Sequence, residues 1–338
     1  METVGRRASI QVTYEGADIS RDLEPFVTSF SCRDNASGQA DELELNLQDR
    51  DGLWHGDWFP DKGAEITAQI LCENYRKKGE RETYPCGTYT IDELEYSGPP
   101  WELALRCTSS SVKTSLRREV KTRAWENVTL QAIAGEIAEE QSLGLVYDAP
   151  DAAYKRRDQR KESDLVFLAR LAEEAGLNLK VAERRLILFS GESYDAKEPS
   201  VTYTPSDLGS WRFTTQAHDI FRACKVSYQD PEEKEVKTYT FEPENAPASG
   251  QTLQVNERVE SRAAAERVAK AKLRQRNQSE TTASLERMGD PRLFAGNTLS
   301  LQDFGAFSGT YFIKSVSHSY DRSSGYTTSA DLRRTLEY

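Results

Sequence analysis

The sequence has few of the residues from which metal sites, disulfides and acid–base centres are built. Its 338 residues include three histidines and five cysteines, and the cysteines occur singly, without a Cys-x-x-Cys spacing. A zinc site needs clustered nitrogen or sulfur ligands. An odd number of scattered cysteines in a long chain favours buried free thiols over disulfides. We therefore expect no metal, no cofactor and no disulfide.

Motifs for nucleotide binding and nucleophilic catalysis are also missing. The sequence contains no Gly-x-Gly-x-x-Gly, no Gly-Lys-Ser/Thr and no Gly-x-Ser-x-Gly, so neither a phosphate loop nor a nucleophile elbow is indicated. The segment Asp49–Gly52 resembles the start of a calcium loop, but its glycine is fourth rather than sixth, which favours a turn. His55, His218 and His318 are far apart, and we expect His318 to be a hydrogen-bonded sheet residue rather than a catalytic base.

Long apolar runs are absent. No stretch approaches the ~18 apolar residues of a membrane span, and the arginines near Met1 are not followed by the apolar segment of a secretory signal. The net charge is -11, from 44 basic and 55 acidic residues, which argues against a groove that binds nucleic acid by neutralising phosphates. We expect a protein made in the cytosol, with a surface that DNA can pass without specific binding.

The alternation of apolar and polar residues predicts β-strands at both ends of the chain. In the strand predicted at 41–48, three leucines share one face, and Glu42 and Glu44 lie on the other. Strands return after residue 200, where the Pro- and Glu-rich segment 230–251 indicates an extended loop and Ser261 can cap a helix at 261–277.

The middle of the chain, residues 113–200, has the 3.6-residue apolar period of helices. Thr129 can cap a helix that ends at Gly144, and Ser163 can cap a second helix that ends at Gly176. A short hairpin follows the second helix, so we expect a small α/β unit between two β regions.

Four stretches carry a resemblance to a known family. Gly296–Leu301, Gly309–His318 and Gly325–Arg334 each begin at a glycine and continue in β-branched, aromatic and threonine residues that suit a sheet. These stretches and Cys86–Ser109 resemble the late-control-D tail hub proteins of contractile bacteriophages, relatives of the hub portion of VgrG spikes.

That resemblance implies a mainly β fold with an α+β insert. The expected arrangement is two tail-tube-like β-barrels, at 1–112 and 201–338, separated by a small α/β domain at 113–200. The second barrel would include the loop excursion 230–251 and the helix 261–277. The two ends share a loose plan, although the sequence shows no repeat with a period of 20 to 50 residues.

The resemblance also implies a structural role rather than an enzymatic one. We expect a homotrimer in which two similar barrels per subunit form a pseudo-sixfold ring that joins the hexameric tail tube to the trimeric spike. Its partners would be the tube protein, the spike and other baseplate proteins, in a virion tail baseplate or equivalent particle assembled in the host cytoplasm. Glu42 and Glu44 are candidate channel-lining residues, and the alternative that they face bulk solvent stays open.

Two other functions are kept as alternatives. A tail-associated peptidoglycan hydrolase needs two carboxylates about 5 to 9.5 Å apart in a cleft, and the sequence singles out no such pair. A sugar-binding module could use Trp54 and Trp58, although the neighbouring Pro60 favours a role in closing a barrel. The basic residues in 154–162 lack the interleaved aromatics of a nucleic-acid groove, and we expect a solvated or subunit-contacting loop there.

Overall fold

The computed structural model describes residues 5–109, 114–229, 236–246, 250–259 and 261–338, and these residues form a mainly β fold. Among them, no helix is long and apolar enough to span a membrane.

The first region consists of seven strands and one short helix. The helix is α1, Ser20–Leu23. The strands are β1 Arg7–Tyr14, β2 Ala17–Asp18, β3 Val27–Asn35, β4 Glu42–Gln48, β5 Glu65–Glu73, β6 Arg81–Ser97 and β7 Glu102–Ser109. The leucines of β4 are at most 2% exposed, so the alternation read from the sequence is confirmed.

The middle region mixes helices and strands. Its elements are α2 Thr114–Arg118, β8 Val120–Thr129, α3 Leu130–Glu140, β9 Gly144–Asp148, β10 Ala153–Ser163, α4 Asp164–Ala175, β11 Leu177–Ala182, β12 Arg185–Ser190 and α5 Gly191–Asp195. Both predicted caps form: Thr129 Oγ1 accepts from the Ala132 amide and Ser163 Oγ from the Val166 amide. Gly176 ends α4 in the left-handed conformation, φ 73°, where glycine has no Cβ penalty.

Two sequence predictions in this region are wrong. Helix α3 ends at Glu140, and Gly144 instead begins β9. The polar segment 154–162 is not a loop, because it lies within β10 and pairs with β8. Arg156 pairs across that ribbon with Glu126 at 2.9 Å, and Arg157 and Glu162 pair with residues of α4, so a polar strand resembles a solvated loop in sequence.

The last region returns to strands. Its elements are β13 Val201–Tyr203, β14 Ser210–Thr215, β15 Phe221–Gln229, β16 Val236–Phe241, β17 Gln251–Val259, α6 Arg262–Asn277, β18 Thr281–Met288, β19 Thr298–Leu301, β20 Gly309–Asp321 and β21 Gly325–Arg334. Ser261 caps α6 as predicted. The excursion 230–251 is not wholly a loop, because it contains β16, which pairs with β15; residues 230–235 and 247–249 lie outside the described residues.

Thirteen strands from the two ends form one sheet. Its main path runs β14-β18-β21-β20-β3-β4-β7-β6-β5-β1-β2, with β19 joined to β20 and β13 to β19. Among the described residues, the path begins and ends at different strands and does not close. The strands of the two predicted barrels thus belong to one open sheet and do not close separately.

Within that sheet, the same strand order occurs twice. The first unit has the order β3-β4-β7-β6-β5, and the second has β14-β18-β21-β20-β19, with every neighbouring pair antiparallel. In chain order both units place the first, second, fifth, fourth and third strands side by side. The second unit differs by the insertion of β15, β16, β17 and α6 between its first two strands.

Candidate assembly surface and channel face

The long hairpins β6–β7 and β20–β21 show which residues of the two units correspond. Strand β6 pairs with β7 through a register shift between Ile91 and Glu93, and β20 pairs with β21 through a shift between Ile313 and Ser315. The bulged residues are therefore Asp92 and Lys314, and a constant offset of 222 relates the two strands.

A short sequence repeat marks the same correspondence. Residues 87–91 read Gly-Thr-Tyr-Thr-Ile and residues 309–313 read Gly-Thr-Tyr-Phe-Ile. Gly63 and Gly296 also correspond: both have φ +88°, and each donates its amide proton to the carbonyl of the aligned isoleucine at 2.9 Å. In the sequence alone the two ends share only a loose plan, because five residues are too few to establish a repeat without the strand order.

The two units join where β20 pairs with β3. The register runs from Ser315 opposite Asn35 to Asp321 opposite Ser29. At this junction His318 and Phe30 are buried, with 0% and 1% exposure. The first half of β20 pairs with β19 and the second half with β3, so one strand edge serves both its own unit and the next.

The eight strands from β14 to β6 have one apolar face and one polar face. Leu43, Leu45 and Leu47 point into the core, and alternation places Glu42 and Glu44 on the opposite face. The other charged residues that alternation puts on the polar face include Arg33, Glu93, Glu95, Glu102, Arg106, Arg212, Glu286, Asp321, Asp331 and Arg333. Carboxylates outnumber guanidinium groups there, so this face is acidic.

Ion pairs link strands of the polar face, either direct neighbours or two strands separated by a third. Arg106 lies 3.1 Å from both Glu93 and Glu95, and Arg33 lies 3.2 Å from Asp331. Glu93 and Glu95 favour the charged form of Arg106 and raise its pKa. All five side chains are substantially exposed, so each pair contributes little to stability in water.

The three histidines occupy different environments. His318 is fully buried; its Nε2 donates to the Leu293 carbonyl at 3.1 Å and its Nδ1 accepts from the Tyr326 hydroxyl at 2.6 Å. Burial lowers the pKa of His318 to about 4, which keeps the ring neutral. His218, by contrast, is 89% exposed.

His55 belongs to a small polar cluster at the end of β4. Its Nδ1 lies 2.7 Å from Asp49 Oδ2, and the Tyr96 hydroxyl donates to the same oxygen at 2.9 Å. Asp49 also accepts from the Trp54 amide at 3.1 Å, which ties the carboxylate to the turn.

Among the described residues, no three His, Cys, Asp or Glu side chains are grouped as a metal site would require.

The two tryptophans of the aromatic loop differ in exposure. Trp54 is 7% exposed and belongs to the core, as predicted. Trp58 is 43% exposed, with its ring edge-on to Trp54 at 5.4 Å, so it is not a core residue in the single chain. The five cysteines form no disulfide with one another, and four of them are buried.

Comparison with known proteins identifies the family. The phage tail baseplate hub (GPD) family matches residues 105–324. A probable baseplate hub protein of Escherichia phage P2 is 32% identical over 201 residues, covering 57% of this chain and 49% of that protein. The chain thus spans about half the length of this relative.

Solved structures share the fold. The 43 kDa tail protein of prophage MuSo2 from Shewanella oneidensis aligns with a TM-score of 0.72 at 14% identity, over 97% of this chain and 99% of that one. An Escherichia coli component of the type VI secretion system, described as similar to bacteriophage T4 tail proteins, aligns with a TM-score of 0.58 at 11% identity, over 98% and 77%. On the extent of the family match, the chain belongs to the phage tail baseplate hub family.

Proposed function

We propose that this chain is a homotrimeric hub that joins a hexameric tail tube to a trimeric spike and forms part of the channel between them. The observation that carries the proposal is the strand order that occurs twice in one sheet. Three copies, each with two units of equal topology, present six similar surfaces, so a threefold object can match a sixfold ring. The proposal assigns the chain no catalytic step.

In this assembly each unit acts as one tube-like domain. We retain the division into 1–112, 113–200 and 201–338, and the separation of the main hydrophobic cores supports it. The buried residues of one core lie within 12–107, except for Tyr326, and those of another lie within 116–188. The middle domain and the region 230–251 are then available for contacts with the spike and other baseplate proteins.

The polar sheet face is proposed to line the channel. Glu42 and Glu44 lie on β4 within this face, opposite Arg33 and Arg106 respectively, with serines, threonines and further carboxylates on the surrounding strands. A net-negative wall repels phosphates, so DNA would pass without binding. The opposite, leucine-bearing face is already buried and is not available for this role.

Sedimentation of the purified chain, alone and mixed with its cognate spike, tests the proposal. We expect a species of three times the chain's mass, at the latest when the spike is present, and a complex with three copies of each. A chain that stays monomeric under both conditions, or forms a dimer, would contradict the proposed trimer.

A further inference from the structure

We infer that neighbouring copies of this chain join by strand pairing between β14 of one copy and the second half of β6 of the next. This inference rests on the proposed trimer and specifies its interface. The paired residues are predicted to be Leu94 with Thr215, Glu95 with Thr214, Tyr96 with Phe213 and Ser97 with Arg212.

Both strand edges are unpaired within the described part of the chain. Strand β14 ends the sheet and pairs only with β18. On β6, the partner β5 reaches only as far as Thr90, and residues 93–97 pair with β7 on one side alone. An exposed strand edge is a template for pairing with another chain, and here one copy offers two such edges of different kinds.

The junction inside the chain shows what fits those edges. Strand β20 corresponds to β6, and its second half pairs with β3, the first strand of the other unit. Leu43 and Ala283 correspond, because each lies one strand beyond the residue that faces the aligned isoleucine, Ile91 or Ile313. Cys32 faces Leu43 and Phe213 faces Ala283, so the strand that corresponds to β3 is β14. The free edges of β6 and β14 are therefore the two halves of a junction that the chain already makes once between β20 and β3.

The register follows from the same correspondence. His318 faces Cys32 within the chain, and the equivalent residues are Tyr96 and Phe213. Ser319 faces Ser31, and the equivalents are Ser97 and Arg212. Since side chains alternate between faces, this register keeps the aromatic pair on the core side; a slip by one residue would move it to the polar face.

Aromatic side chains are buried where β20 pairs with β3 and exposed at the free edges of β6 and β14, as the proposed pairing requires. Phe30 is 1% exposed beside β20, whereas its counterpart Trp211 is 46% exposed. His318 is 0% exposed, whereas its counterpart Tyr96 is 38% exposed. Large aromatic side chains thus lie open at both free edges, where a second copy would cover them.

Charge on the polar face agrees with the same register. Arg212 would lie opposite Ser97 and diagonally across from Glu95, within reach of a long side chain. Glu95 at present pairs with Arg106 of its own sheet. The pairing would therefore bring Arg212 to Glu95 as a second cation beside Arg106. None of the four predicted pairs places two like charges opposite each other.

A second copy is the occupant because each edge has its complement on the same chain. The β14 edge of one copy fits the β6 edge of the next, which is a head-to-tail contact that generates a ring when the rotation closes. Each copy contributes eight strands from β14 to β6, so three copies contribute a continuous wall of 24 strands.

Disulfide cross-linking in the full-length chain tests the register. In the variant Ser97→Cys/Arg212→Cys, we expect oxidation to give covalent dimers and trimers on a non-reducing gel. The matched control is Ser97→Cys/Thr214→Cys, displaced by two residues or about 7 Å, which should give none. The benchmark is Ser31→Cys/Ser319→Cys, which places the same pair at the internal junction and should form a disulfide within one chain.

Sedimentation of the same samples separates the possible results. One result would contradict only the pairing: a trimer forms and the benchmark pair is oxidised, but the predicted pair does not cross-link, or the displaced pair cross-links instead. The proposed hub would then stand. If no trimer forms even with the spike, both are wrong. Substitution at the free edge gives an independent readout: Trp211→Glu should weaken association of the trimer at least tenfold. The control Val166→Glu, at an exposed apolar residue on α4, should leave association unchanged. Equal effects of the two substitutions would also contradict the pairing.

Discussion

Equivalent positions in the two units have acquired different residues according to whether a partner strand covers them. His318 lies in the covered junction and makes two hydrogen bonds in the core. Tyr96, at the equivalent position, lies at an open edge, and its hydroxyl bonds to Asp49. Burial of the His318 imidazole disfavours its protonated form more than the nearby carboxylates of Asp34 and Asp290 favour it, so His318 has a structural role that depends on pH.

The stability of the fold should therefore fall in acid through His318. Because its folded pKa of about 4 lies below the ordinary value of 6.5, the unfolded chain binds the proton more tightly. The contribution is fully present above pH 6.5 and is lost as the pH falls towards 4, by about 3 kcal/mol. Urea denaturation between pH 7 and pH 4 should show a steeper loss for the wild type than for His318→Gln.

The exposed His218 provides the control for this measurement. His218→Gln should retain the wild-type slope, because that side chain is in water in both states. The pKa of Asp41, which desolvation raises to about 6, acts in the opposite direction, since folding then favours the protonated acid. That contribution is the same in all three proteins, so equal slopes for wild type and His318→Gln would contradict the assignment.

At the scale of the elements, strand order and turn chemistry repeat where most side chains do not. Gly63 and Gly296 each precede the third strand of their unit with φ +88°, a conformation in which a Cβ is strained. An added Cβ would meet nothing within 4 Å at Gly63 and only an ordinary contact with Tyr194 at Gly296. Only the backbone conformation therefore decides the cost of substitution at either position.

Substitution by alanine should consequently cost the same in both units. We expect Gly63→Ala and Gly296→Ala each to lower the free energy of unfolding by about 1 to 2 kcal/mol, measured by urea denaturation. Gly135→Ala is the matched control, because Gly135 lies inside α3 with an ordinary contact to Leu145 and should gain about 1 kcal/mol. A neutral result at one of the two turns would show that the units do not share this conformation.

At the scale of the whole molecule, one sheet presents an apolar face to its own cores and a polar face outwards. The polar face is continuous across the junction of the two units, because β20 and β3 pair in register with their polar residues on the same side. An acidic face that runs across both units agrees with the proposed channel, in which a net charge of -11 would favour passage of DNA without binding.

Thiol labelling can locate Glu42 and Glu44 in the assembled hub. In the trimer with its spike, we expect Glu42→Cys and Glu44→Cys to react with a small maleimide but not with one that carries a long polymer, which cannot enter the bore. In the isolated chain both reagents should react. Glu139→Cys, on the exposed side of α3, should react with both reagents in both states. Polymer labelling of Glu44→Cys in the complete assembly would place this strand on the outer rim instead.

Local patterns made several elements predictable. The caps at Thr129, Ser163 and Ser261 and the buried leucines of β4 depend on residues adjacent in the sequence. The strand β10 was missed because its partner β8 is more than twenty residues away and its charged residues pair with both β8 and α4. A pattern of charge on one strand cannot reveal the elements that neutralise it.

The sequence by itself determined the β-rich ends, the two capped helices of the middle region and the acidic net charge, since propensity, alternation and charge can be read from neighbouring residues. The hub family came from the resemblance of four stretches of the sequence. Only the tertiary structure decided that the two ends share one open sheet and that their strand order is the same. Strand neighbours such as β20 and β3 are set by hydrogen bonds between segments hundreds of residues apart. The free energy of that pairing comes from buried side chains contributed by both ends, and no single stretch of sequence contains it.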